Sequence, residues 1–222
     1  MTASFRQPTT RHAPVLLLLA GVCAALELAF TLADLPFVGL DMLRRAGIVY
    51  GGFWSGLLTD WEPMFPGQRL TMFVTYAFLH AGFLHMLFNM LLMLHLGREA
   101  VQRLGQAGFA LLFAFTAAGG GAAFALLSSA DAPMLGASGV VFGLFGATVY
   151  WDIQRRRALR LPIGPALRLI GGLVVMNLLL WVLVQGMLAW EAHLGGFVAG
   201  ALFARIATPS LTHRHRPRIG MR

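Results

Sequence analysis

The 222-residue chain has no lysine, a single cysteine, and charge on only 12% of its residues. Each shortage removes a class of protein. Soluble domains carry about 25% charged residues, so a chain that is 58% hydrophobic has the composition of a membrane protein. One cysteine, Cys23, cannot form an internal disulfide, and its apolar surroundings offer nothing to make it a nucleophile. All 17 basic residues are arginine and they flank apolar blocks, so the high net charge of +8 does not read as nucleic-acid binding. The missing lysine, with abundant Ala, Gly, Leu and Arg, suggests a GC-rich bacterial genome.

Apolar length is what the chain has in plenty. A crossing helix needs about 20 mostly apolar residues, and six such blocks are expected: Pro14–Ala33, Phe73–Leu96, Ala107–Ser128, Leu135–Trp151, Ala166–Leu188 and Ala192–Ala207. Arg6 and Arg11 before the first block resemble the start of a secretory signal. The block is long, however, and lacks a small-x-small cleavage site, while Val22 spoils "LAGVC" as a lipoprotein box, so an uncleaved helix is expected. With the N-terminus inside, fourteen of the arginines fall on the cytoplasmic side and only Arg44, Arg45 and Arg69 outside, which places both termini in the cytoplasm. The expected layout is thus a cytoplasmic segment 1–13, a membrane domain 14–207 and a basic cytoplasmic tail 208–222. Within the domain, 34–72 forms a long outside loop whose Trp54, Trp61, Phe53 and Phe65 suit the headgroup region. His213 and His215 in the tail are too few to read as a metal site, and the tail is expected to anchor topology at an anionic lipid surface.

Polar groups among apolar neighbours are costly in a bilayer and so are functional candidates. "FLHAGFLHMLFNM" puts His85 and Asn89 four apart on one helix face, with His80 nearer the outer boundary. "LGASGVVFGLFG" puts Ser138 in the first turn of a short fourth span, about 25 Å over 17 residues. A helix that short starts below the membrane surface, where its free N–H groups can bind a developing oxyanion. "EAHLGGFVAG" opens the sixth span with His193 near the same depth, and Gly196 and Gly200 permit close approach to the glycine-rich fourth span. A serine needs an adjacent base to act as a nucleophile, and histidine titrates in the useful range. The competing reading is that these are helix-packing residues, and both readings can hold together. Glu191 lies two residues from His193, on a different side of the helix, and reads as a solvated mouth residue.

Taken in order, "HAGFLHMLFN", "GASGVVFGLFG" and "AHLGGFVAG" resemble the rhomboid intramembrane serine proteases over all six spans. The resemblance implies an all-α six-helix polytopic bundle with a long first outside loop. It implies Ser138 as nucleophile, His193 as general base, and an oxyanion site of His85, Asn89 and the Ser138 N–H. Gly136 matches the first glycine of the serine motif, Phe142 the aromatic that packs on the catalytic histidine, and His80 a supporting histidine. Implied partners are single-pass transmembrane substrates within the lipid bilayer, with cleavage at small residues, and no cofactor, metal or nucleic acid. Many members carry a Trp-Arg pair before the second span; here that region reads "GQRLTMFVTYAFLH", and Arg69 is expected to compensate. Two rival readings are a rhomboid-like factor that binds helices without cutting, and a small transporter lined by His80, His85, Asn89 and Asn177.

Overall fold

The computed structural model describes residues 13–40, 42–129 and 132–207. Seven α-helices make up the described chain: α1 (Pro14–Ala33), α2 (Met42–Gly51), α3 (Gln68–Thr75), α4 (Phe83–Leu127), α5 (Ser138–Ala158), α6 (Gly164–Leu183) and α7 (Trp190–Ala207). Short 3-10 turns occupy Ser55–Leu58 and Tyr76–Phe78. By length and hydropathy α1, α4 and α6 are each able to cross a membrane. Proline opens α1 and α6, where a missing N–H and a fixed φ are harmless.

The 45 residues of α4 are two helices joined at Gly105, whose φ of 74° and ψ of 179° only glycine adopts readily. Twelve residues of straight helix would span about 18 Å. Instead, a Cβ placed on Gly97 would lie 3.1 Å from the ring of Phe109. The chain therefore doubles back, and arms 83–104 and 106–127 run antiparallel. The sequence reading expected a connection of about ten residues here; the helical pattern continues to the very turn.

The expected second span also starts late. Residues 73–82 are not a continuation of α4: they comprise the end of α3, the 3-10 turn and an extended stretch ending at Gly82, φ 148°. The Tyr76 hydroxyl donates to the Ala117 carbonyl at 2.9 Å and so ties this stretch to the second arm of α4. The fifth span ends early, at Leu183, where Gln185 and Gly186 both take positive φ. The fourth is longer than expected, because α5 runs on to Ala158. Its polar last turns are held by Asp152, which accepts from Arg156 at 2.6 Å and Arg155 at 3.3 Å. Those arginines also oppose the negative end of the helix dipole.

The core is a stack of helices that approach through glycine. A Cβ on Gly196 or Gly200 of α7 would strike the carbonyl oxygens of Gly139 or Gly143 on α5, and one on Gly146 would strike that of Phe197. On its other side α7 meets the second arm of α4, where Gly195 faces Gly119. Small residues let helix backbones touch where apolar side chains gain little by leaving lipid. By contrast α6 is held loosely, with only Ala166 and Leu173 buried.

The described part of the segment 34–72 carries α2, a 3-10 turn and the start of α3. Trp54 donates to the Ile48 carbonyl at 3.0 Å and its ring lies 5.7 Å from that of Trp61. Arg69 donates to the Trp61 carbonyl at 3.1 Å. A second tie was not expected. Glu27, buried in α1, receives two hydrogen bonds from Arg44 of α2, at 3.0 and 3.2 Å. The Glu27 carboxylate holds the Arg44 guanidinium above its ordinary value, with Asp34 adding to the effect. The N-terminal segment with Arg6 and Arg11, expected to be cytoplasmic, the acids Asp41 and Asp131, and the tail with His213 and His215 lie outside the described residues.

Candidate functional site

Ser138 is the first residue of α5, and the strand-like approach to it is fixed from two sides. Phe53 and Met134 exchange backbone hydrogen bonds at 3.1 and 2.9 Å, and the Gly136 N–H donates to the Tyr76 carbonyl at 3.0 Å. The first backbone bond of α5 runs from the Val141 N–H to the Ala137 carbonyl at 2.9 Å. The amides of Ser138, Gly139 and Val140 thus precede the helical ladder and form the positive end of the helix. Ser138 is half-buried, while Ala137, Gly139 and Val140 are buried.

His193 sits in the first turn of α7, buried, with its ring stacked flat on Phe142 at 4.2 Å between centroids and 6° between planes. Phe142 follows Ser138 by four residues and so lies one turn further along the same face. The carbonyl of Ala192 would lie 3.4 Å from a Cβ on Gly139. The glycine contact between α5 and α7 therefore brings the serine and histidine ends of the two helices together. On its other side, His193 Nδ1 lies 2.5 Å from Asn177 Oδ1 of α6.

His80, just before the first arm of α4, and His85, in its first turn, meet the same loop. His85 lies against Gly136: a Cβ there, at φ 121°, would be 2.7 Å from Cε1 and 2.9 Å from Nε2 of the imidazole. His85 Nδ1 accepts from the Ala81 N–H at 3.4 Å, which leaves the proton on Nε2, facing the Gly136 peptide. Asn89 donates one amide hydrogen to the His85 carbonyl at 2.8 Å and has a second to give. His80 is buried, packs edge-on against His85 at 5.2 Å, and accepts from the Ala137 N–H at 3.4 Å. Its carbonyl also accepts from Arg44 at 3.3 Å, which links the site to α2.

The structure thus brings His80 and His85 against the Ala137 and Gly136 stretch before Ser138, and His193 against Phe142, while Asn89 bonds the carbonyl of His85 on its own helix. Glu191 does not match its expectation: it is buried, with 8% exposed, rather than solvated. Asn177, Arg44 and Glu27 were not assigned to the site. A signal existed for two of them, since Glu27 is the one acid in α1 and Asn177 the one carboxamide in α6.

A helical bundle with apolar outer surfaces and a buried cluster of histidine, serine and asparagine at one end defines a polytopic membrane protein with a polar site sunk into it. The comparisons specify which kind. A rhomboid domain matches residues 67–210, and the chain belongs to the rhomboid family. It is 34% identical over 155 residues to the rhomboid protease GlpG of Serratia proteamaculans, an alignment covering 67% of this chain and 52% of the relative. It is 30% identical over 140 residues to RHOMBOID-like protein 5 of Arabidopsis thaliana, covering 60% and 42%. Against rhomboid-like protease 1 of Toxoplasma gondii the figures are 27% over 146 residues, 64% and 48%. The chain spans about half the length of these relatives or less.

Proposed function

We propose that the protein is an intramembrane serine endopeptidase that cleaves single-pass transmembrane proteins from the extracytoplasmic side. The observation that carries this reading is the stacking of His193 on Phe142, one turn beyond Ser138, across the glycine contact of α5 and α7. Its setting is six crossings, formed by α1, the two arms of α4, α5, α6 and α7. Both termini face the cytoplasm of a bacterial inner membrane.

In the proposed reaction His193 accepts the proton of Ser138 while the hydroxyl oxygen attacks the scissile carbonyl. Negative charge then develops on the substrate oxygen. The Ser138 N–H, the His85 Nε2–H and the free N–H of Asn89 are the donors proposed to receive it. His193 returns the proton to the leaving amine, and water repeats the sequence on the acyl-enzyme. His80 supports the site through Ala137, and Gly136 leaves room for the His85 ring. The chemistry as written uses no metal or cofactor. A substrate helix must unwind locally for its carbonyl to be attacked, which favours small and helix-breaking residues at the cut.

Purified protein in liposomes with a single-pass model substrate tests the reading. Wild type is expected to cut, and Ser138→Ala and His193→Ala to lose cleavage while remaining folded. Retained cleavage in Ser138→Ala removes the nucleophile. A folded wild type that binds several substrates and cuts none favours the helix-binding factor instead.

A further inference from the structure

Asn177 is an amide in the interior of a helix otherwise made of apolar residues, glycine, proline and one arginine near its start. Its polar contact among the described residues joins α6 to His193, a buried titratable group of the proposed site. We propose that Asn177 is a positioning residue that fixes the tautomer and ring plane of His193, an inference that rests on the protease reading above. The Oδ1 atom of an amide can only accept, so the close Nδ1–Oδ1 pair puts the ring proton on Nδ1. Nε2 is then unprotonated and is the nitrogen left to take the proton of Ser138. The opposite orientation of the amide would donate to Nδ1, force the proton onto Nε2, and leave no base.

Two contacts fix an imidazole in different ways. Stacking on Phe142 sets the plane of the ring but allows it to turn within that plane and says nothing about its proton. The hydrogen bond from Nδ1 supplies both missing constraints, much as a third residue orients the base in other serine hydrolases. Glu191, two residues away on the same helix, is not the group that meets Nδ1.

The test combines kinetics in liposomes with 15N spectroscopy of histidine-labelled protein, the His193 signals being assigned by their loss in His193→Gln. Wild type is expected to show a protonated Nδ1 and an unprotonated Nε2. Asn177→Leu, similar in volume and well suited to a membrane helix, is expected to lose that preference. Its kcat should fall about 10-fold or more, with KM changed less than about twofold. Asn177→Asp keeps an acceptor of the same shape and is expected to restore the Nδ1–H tautomer and most of kcat. An Nε2–H tautomer in wild type, or an Asn177→Leu protein with unchanged tautomer and kcat, overturns the proposal. A wild type that never cuts, yet loses the Nδ1–H tautomer on Asn177→Leu, overturns the protease reading and leaves the Asn177 contact standing.

Discussion

The side chains around Ser138 divide by what each hydrogen bond leaves free. Asn89 spends one N–H on the His85 carbonyl, which fixes the amide on its own helix and leaves the second N–H to give. A donor held this way before the reaction needs no reorganisation when charge appears. Asn89→Ala is therefore expected to lower kcat about 100-fold, with KM nearly unchanged, in steady-state cleavage of a transmembrane substrate. A change confined to KM would assign the residue to substrate positioning. Phe142 acts without any polar group: it presents a flat apolar face to His193, whose Nδ1 is met by Asn177 instead.

Between elements, the placement of His193 depends on backbone contact rather than on side-chain bulk. The carbonyls of Gly139 and Gly143 occupy the positions that Cβ atoms on Gly196 and Gly200 would need. Adding one methyl at Gly200 must push α7 away from α5, and overpacking of this kind costs about 1–3 kcal/mol. Gly200→Ala is expected to lower the thermal unfolding midpoint in detergent and to reduce cleavage. Gly171 of α6 is the matched control, because a Cβ there meets nothing within 4 Å. Gly171→Ala is expected to leave the midpoint unchanged or raise it slightly, since alanine is favoured in helix interiors. Equal effects at the two sites would show that helix propensity, not the α5–α7 contact, decides the outcome.

For the molecule as a whole, the proposed orientation in the membrane rests on the asymmetry of arginine. Cys23 is fully buried in α1, so a cysteine added at the surface is the one that reacts with an impermeant maleimide. Glu62→Cys, exposed in the segment before α3, is expected to label in intact spheroplasts. Arg160→Cys, exposed after α5, should label only after lysis. The reverse pattern would invert the topology and turn the site toward the cytoplasm. The exposed apolar residues of α1 and α6, among them Leu17, Leu28, Leu179 and Leu183, mark the surfaces that lipid covers.

Sequence by itself determined the helical class, the apolar blocks and the identity of the polar residues that a membrane interior would not tolerate without a reason. Ser138, His193, His85 and Asn89 were legible because few polar groups survive in apolar runs, and because glycine spacing foretold which helices touch. Boundaries were less legible, since an apolar stretch reads the same whether it forms one helix, as 73–96 was expected to, or a short helix, a 3-10 turn and a new helix. Only the tertiary structure decided that α4 doubles back at one glycine, that Arg44 reaches Glu27, and that the group facing His193 Nδ1 is the Asn177 amide of α6 and not the Glu191 carboxylate of its own helix. Hydropathy is a property of a segment, whereas a hydrogen bond across 16 residues and two helices depends on how the segments pack.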